Sequence, residues 1–162
     1  MQSNKIIEIT STQQVLNDLA QLTKFRLTVS VVISSLAGYF LAIDHVDYFT
    51  LFLLILGGFF MVGASNAFNQ VFEIDFDKLM LRTQNRPLPD GRMNSNSALF
   101  IGVALTILGV AALYIINLKT VFLASISIFL YACVYTPLKQ KTPLSVFVGA
   151  FPGAIPFMLG WV

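Results

Sequence analysis

The chain alternates between long apolar stretches and short polar breaks, and the breaks set its elements. No charged residue interrupts the run from about Leu27 to Ile43, nor the one from about Phe49 to Phe68. Between them, Asp44-His45-Val46-Asp47 reads as a tight polar turn. A third run covers roughly Ser97 to Ile116, Asn117-Leu118-Lys119 turns it into a fourth from Val121 to Tyr135, and a fifth begins near Pro143 and is still apolar at Val162. Runs of this kind approach the roughly 20 residues that a helix needs to cross a hydrocarbon core about 30 Å thick. The pattern predicts an all-α, multi-pass transmembrane helical bundle of about five helices spanning 27–162.

Two segments depart from it. Residues 1–26 read as a polar lead-in followed by a short amphipathic helix, with Val15, Leu16, Leu19, Leu22 and Phe25 at helical spacing. One face of that helix suits the headgroup region, and an ordinary lead-in to the membrane fits the same spacing. The other segment, from Asn69 to about Asn96, is the long polar stretch of the chain.

Composition removes the soluble classes: 56% of the residues are hydrophobic and 11% charged, against about 25% charged in a soluble domain. A net charge of +2 with no basic stripe argues against nucleic acid as a partner. Cys133, the single cysteine, has no partner for an internal disulfide and is expected to pack as a small hydrophobe. The first 25 residues lack the apolar core of a cleavable signal peptide. Glu8 and Asp18, with no arginine before Arg26, speak against a mitochondrial transit peptide.

The remaining charges orient the bundle. Lys5, Lys24 and Arg26 precede the first run; Lys78, Arg82, Arg86 and Arg92 lie between the second and third; Lys139 and Lys141 lie between the fourth and fifth. Only Lys119 falls in a loop on the opposite side. Lys and Arg are retained in the cytoplasm, so the N-terminus and the 69–96 loop are expected there, in a bacterial plasma membrane. The end of the chain within an apolar run, Phe157 to Val162, reads as a truncation, with a short terminal helix anchored by Trp161 as the alternative.

Candidate chemistry concentrates where the second run meets the polar stretch. Three of the eight acidic residues, Glu73, Asp75 and Asp77, fall within five positions. If the helix continues, Asn69, Glu73 and Asp77 share one face at i, i+4 and i+8. Two carboxylates and an amide oxygen form a hard, oxygen-only set of the kind that binds Mg²⁺ together with water and substrate phosphate. Arg82 and Arg86 follow, expected one helical turn apart before Pro87-Leu88-Pro89 ends the helix. Guanidinium groups hold phosphate oxygens bidentately. The alternative is a solvated loop in which the arginines pair with the acids. A second constellation, Tyr131 to Lys141, lies on the same side: Lys139 is placed to reach a phosphate and Tyr135 to donate a hydrogen bond, although Tyr and Lys are also routine interface anchors. His45, the only histidine, falls in the opposite turn and is assigned a polar-turn role.

Together these stretches resemble the UbiA superfamily of intramembrane prenyltransferases. Its members carry an Asn-Asp-x-x-Asp-x-x-x-Asp-like motif, an Arg-Thr-x-x-Arg-Pro-Leu segment and a later Tyr-x-x-x-Lys element. Asn69, Asp77, Arg82-Thr83, Arg86-Pro87-Leu88 and Tyr135/Lys139 match as they stand, while Gln70 and Glu73 replace acidic residues of the first motif. Those departures, with Tyr135-Thr136-Pro137-Leu138-Lys139 and the stretch from Gly149 to Trp161, are similar to the protohaem IX farnesyltransferase branch. Leu22-Thr23-Lys24 also resembles that branch, with Phe25 where proline is common.

The resemblance implies a bundle of about nine helices in two similar halves, of which this chain supplies one. It implies Mg²⁺ held near Asn69, Glu73 and Asp77, which would also be the catalytic residues, and farnesyl diphosphate contacted by Arg82, Arg86, Tyr135 and Lys139. The farnesyl group would be transferred to a vinyl group of haem B. Haem-modifying enzymes or a second copy are implied as further associates. Phe-rich spans would suit an isoprenoid chain in the bilayer, though such residues face lipid or pack by default, and Gly149 and Gly153 at Gly-x-x-x-Gly spacing would permit close helix packing. Four other readings use the same features: a prenyltransferase for an aromatic quinone precursor, an inactive fragment, a non-enzymatic membrane binding or assembly protein, and a transporter. Acids at the membrane edge rather than along a pathway speak against the last.

Overall fold

The polar breaks in the sequence are helix caps. In the computed structural model, residues 2–161 are described, with side chains over 12–161. The helices are α1 (Gln2–Leu22), α2 (Phe25–Ala42), α3 (Tyr48–Phe72), α4 (Ile74–Leu79), α5 (Ser95–Ile116), α6 (Leu118–Phe129), α7 (Thr136–Leu138) and α8 (Ser145–Trp161), with a π-helical stretch, Leu130–Tyr135, joining α6 to α7.

Asp47 caps α3 by accepting from the Phe49 and Thr50 N–H groups and from the Thr50 hydroxyl. Those hydrogen bonds, the Thr50 hydroxyl first, hold its carboxyl below the usual range. The Tyr39 hydroxyl donates to the Asp47 carbonyl and accepts from its N–H, both at 3.0 Å, which closes the α2–α3 turn. Asn94 caps α5. Asn117 ends α5 through its N–H to Leu113 O and starts α6 by accepting from the Thr120 N–H at 2.8 Å. Each cap satisfies backbone groups that a helix end otherwise leaves open.

Four helical stretches are long and apolar enough to cross a membrane: Phe25–Ala42, Tyr48–Phe72, Ser95–Ile116 and Leu118–Leu138. The fifth apolar run forms α8, whose 17 residues make it shorter than these. The protein is thus a multi-pass, all-helical membrane protein. The expected lead-in belongs to α1, whose helix already runs from Gln2. Leu22 at its end is fully buried against Ala67, Leu88 and Ala98, whereas Val15 and Leu16 stay exposed.

Helix α3 is the axis, with more than half of its apolar window buried. Tyr39, Leu54, Met61, Leu113, Ala124, Ile155 and Leu159 bring five helices into one apolar core. Phe40, Phe52, Phe100, Phe122, Phe129 and Phe147 point outward and form the surface offered to lipid. Cys133 also faces outward. The inward position is its neighbour Ala132, 3% exposed, and successive side chains of a helix point in different directions.

The Gly149/Gly153 pair does not make the close helix crossing that its spacing suggests. A Cβ at Gly149 would meet the Tyr135 ring, and one at Gly153 would meet nothing within 4 Å. The tight crossing is instead between α2 and α8. A Cβ on Gly38 would overlap the Phe157 carbonyl oxygen, and one on Gly160 would overlap Ser35 O and Tyr39 N. Those neighbours are backbone, so the helices themselves must separate. Gly38→Ala should therefore destabilise the detergent-solubilised protein by about 1–3 kcal/mol. An unchanged thermal midpoint would contradict the crossing.

Candidate active site

The last turns of α3 carry a row of inward polar side chains. Asn66, Asn69 and Gln70 are 2%, 0% and 0% exposed, and burial of amides demands partners. The helical path then bends at Glu73, whose φ of −106° and ψ of 6° separate α3 from α4. The bend does not break the face: the Glu73 N–H donates to Asn69 O and the Asp77 N–H to Glu73 O. Asn69, Glu73 and Asp77 consequently line one side, all buried.

Each of the three is held by a cation from another segment. Lys24 Nζ donates to Asn69 Oδ1 at 2.9 Å. Lys139 Nζ lies 2.5 Å from Glu73 Oε1, and Arg86 Nη1 lies 2.7 Å from Asp77 Oδ2. The ammonium has no acceptor, so it selects the oxygen side of the Asn69 amide. The Asn69 nitrogen then donates to Thr136 Oγ1 at 3.0 Å, and that hydroxyl donates to Tyr131 O at 2.8 Å. This last bond sits in the π-helical stretch, a form common at functional sites. Burial pushes the Lys24 ammonium down to about 8, with Arg86 and Lys139 adding to the shift and Glu73 and Asp77 opposing it.

The other sequence candidates lie around this cluster. Arg82 is exposed and makes no ion pair among the described residues. It does not share a helix with Arg86: α4 stops at Leu79, Met80 is extended, and 80–93 form successive turns. Thr83 secures the first turn by donating to Asp77 O at 3.0 Å. The alternative in which arginines pair with acids describes Arg86 and Asp77, but the pair is part-buried rather than freely solvated, with Asp77 buried and the Arg86 side chain 24% exposed. The Tyr135 ring stacks on Tyr131 with centroids 5.4 Å apart and lies 5.7 Å from Lys139 Nζ. Asp75 is outside the cluster, its side chain 93% exposed in a surface pair with Lys78. Exposed His45 lies in the turn at the far end of α3.

An apolar cavity of about 480 Å³, a volume typical of small-molecule sites, meets the charged cluster through Tyr135, which lines the cavity and has its ring 5.7 Å from Lys139 Nζ. Asn66, Tyr131 and Tyr135 mark its polar end, and Leu27, Val31, Met61 and Ile128 are among its apolar walls. No phenylalanine lines it. The Phe-rich character of the spans belongs to the outer surface, and aliphatic and small residues make the space. A cluster of cations and carboxylates at one end of such a cavity suits an amphiphile with an anionic head and an apolar tail.

Sequence reasoning did not single out Asn66, Thr136 or Lys24 as site residues. In the sequence Gln70 stands out only as a departure from a motif. Its Nε2 donates at 2.8 Å to both Gln21 O and Leu22 O, a task a carboxylate cannot perform. No group of three or more His, Cys, Asp or Glu side chains converges among the described residues. The donor set still suits Mg²⁺, which takes one or two carboxylates and completes its shell with water and substrate phosphate.

A model of the UbiA prenyltransferase family matches residues 31–162. The chain is 62% identical over 148 residues to a protoheme IX farnesyltransferase of Christiangramia forsetii, covering 91% of this chain and 49% of that protein. It is 40% identical over 144 residues to the mitochondrial protoheme IX farnesyltransferase of Homo sapiens, covering 88% and 32%. The chain spans about half the length of the bacterial relatives it matches. Among solved structures, a digeranylgeranylglyceryl phosphate synthase superposes with a TM-score of 0.82 at 23% identity, over 90% of this chain and 52% of the other. A UbiA homolog from Archaeoglobus fulgidus bound to GPP and Mg²⁺ superposes with a TM-score of 0.76 at 19% identity, over 89% and 53%.

Proposed function

The chain belongs to the UbiA prenyltransferase family, and on that premise we propose that the complete protein is a protohaem IX farnesyltransferase. It joins the farnesyl group of farnesyl diphosphate to a vinyl group of haem B, and water adds to leave a hydroxyethylfarnesyl chain. The observation that carries this reading is the buried row Asn69, Glu73 and Asp77, each held by a cation, with Tyr135 between the Lys139 cation and an apolar cavity. Its support from relatives is the 54–62% identity to proteins of that name over most of this chain.

In this reading Asn69, Glu73 and Asp77 would hold Mg²⁺. When bound, Mg²⁺ would offset part of the diphosphate charge and stabilise it as a leaving group. Arg86 and Lys139 exchange their carboxylates for phosphate oxygens as substrate arrives, and Arg82 reaches the diphosphate from its exposed turn. These fixed cations favour the charge that develops on the departing diphosphate as the carbon–oxygen bond breaks. Tyr135, between the cluster and the cavity, borders the first isoprene unit and offers its hydroxyl to the diphosphate. The cavity excludes water from the farnesyl cation until the vinyl group attacks. Residues 1–26 and the 69–96 segment face the cytoplasm of a bacterial plasma membrane, following the distribution of Lys and Arg.

The test uses membranes carrying the product of the complete reading frame, supplied with farnesyl diphosphate, Mg²⁺ and either haem B or hydroxybenzoate. Haem O is expected from the first acceptor and no product from the second. Prenylated hydroxybenzoate without haem O would overturn the choice of acceptor.

A further inference from the structure

The junction between α1 and α2 is held more firmly than a connection requires. Besides the two Gln70 hydrogen bonds to Gln21 and Leu22, Asn66 Nδ2 donates to Thr23 O at 3.2 Å and to Thr28 Oγ1 at 3.3 Å. The Thr28 hydroxyl donates to Thr23 O at 2.7 Å. Two buried amides one turn apart on α3 thus clamp consecutive carbonyls of this elbow. Within it, Lys24 has φ 48° and ψ 56°, the only positive φ at a non-glycine residue among those described. A left-handed lysine costs energy and persists only where its surroundings over-determine it. The clamp supplies that constraint, and its result is to aim Lys24 at Asn69.

The charge count gives the aim a purpose. Lys24, Arg86 and Lys139 face Glu73 and Asp77 in the cluster, three cations against two carboxylates. Arg86 and Lys139 each have an acid, whereas the contact of Lys24 is to a neutral amide oxygen and it makes no ion pair among the described residues. A partly buried ammonium satisfied by an amide leaves an electrostatic vacancy for an anion. A magnesium-bound diphosphate remains anionic, so the surplus cation matches its charge.

We propose that Lys24 is a further diphosphate-binding residue, delivered into the site by the elbow that Asn66 and Gln70 clamp. On arrival of the substrate its Nζ leaves Asn69 Oδ1 for a phosphate oxygen. The proposal rests on the prenyl-diphosphate reading of the site.

The experiment measures binding of inorganic diphosphate with Mg²⁺ to the purified complete protein, by calorimetry, for the wild type, Lys24→Met and Lys24→Arg. Lys24→Met should weaken binding about tenfold or more, the loss expected for one charge-assisted hydrogen bond. Lys24→Arg, which keeps the charge, should recover most of it. Thermal midpoints measured alongside separate folding from binding: a folded Lys24→Met with wild-type affinity would overturn the proposal and leave the function intact. If Lys24→Met does not fold, Lys24→Arg and Gln70→Glu decide. Gln70→Glu loosens the elbow, and wild-type affinity in it together with none in a folded Lys24→Arg would overturn the clamp. Failure of the wild type to bind magnesium diphosphate would overturn the diphosphate site and Lys24's role with it.

Discussion

Asp77→Asn in the complete protein should lower magnesium-dependent farnesyl transfer about a hundredfold or more. The substitution keeps the shape and one oxygen but removes the charge at a proposed ligand position, and single preorganised electrostatic contacts of this kind are worth about 10²–10³ in rate. It also leaves Arg86 beside a neutral amide in place of its carboxylate partner 2.7 Å away. Asp75 supplies the matched control. It lies two residues away in the same acidic stretch, but its side chain is 93% exposed and pairs only with Lys78 on the surface. Asp75→Asn should therefore turn over like the wild type. Equal losses in both variants, in a kinetic assay with saturating haem B, would mean that the acidic stretch acts as a diffuse charge and not as an inward ligand face.

The second large effect is on stability. Arg86→Met should destabilise the protein by roughly 2–3 kcal/mol, because it strands the Asp77 carboxylate, 4% exposed, without its cation. Breaking a buried pair from one side costs about 3–5 kcal/mol. The estimate is set lower because the Arg86 side chain remains 24% exposed. Adding Asp77→Asn to Arg86→Met should restore much of the loss, since no buried charge is then left unpaired. Chemical denaturation in detergent reads the difference. A double variant less stable than Arg86→Met alone would show that the pair is not what Arg86 contributes.

How far the sequence announced this structure follows from the range of the forces involved. The spans were legible because a helix in hydrocarbon must be apolar throughout, and the breaks were legible because Asp47, Asn94 and Asn117 are local caps whose partners lie two or three residues away. The row Asn69, Glu73, Asp77 was legible for the same reason: it depends on helical periodicity alone, which the bend at Glu73 preserves. Features that depend on contacts between distant segments were not. The Gly38–Gly160 crossing has one glycine on each of two helices, so no spacing within either helix reveals it, and the Gly149-x-x-x-Gly153 spacing pointed elsewhere. Lys24 read as an orienting charge before the first span. Its place in the site comes from Asn66, Asn69 and Gln70, 42 or more positions later. The π-helical stretch before Thr136 likewise has no signature in the apolar pattern, since every residue from Leu130 to Tyr135 also suits a regular span. Gln70 shows the limit of motif reading most clearly. Its departure from an acidic residue marked a branch of the family, but only the carbonyls of Gln21 and Leu22 explain why an amide stands there.

In the proposed site Glu73 and Asp77 are metal ligands as well as ion-pair partners. The most direct test is Mn²⁺ electron paramagnetic resonance on the purified complete protein with inorganic diphosphate, comparing the wild type with the Glu73→Gln/Asp77→Asn double variant. Diphosphate-dependent immobilisation of Mn²⁺ in the wild type, lost in a folded double variant, is the predicted result. Equal immobilisation in both would place the metal elsewhere and contradict the account.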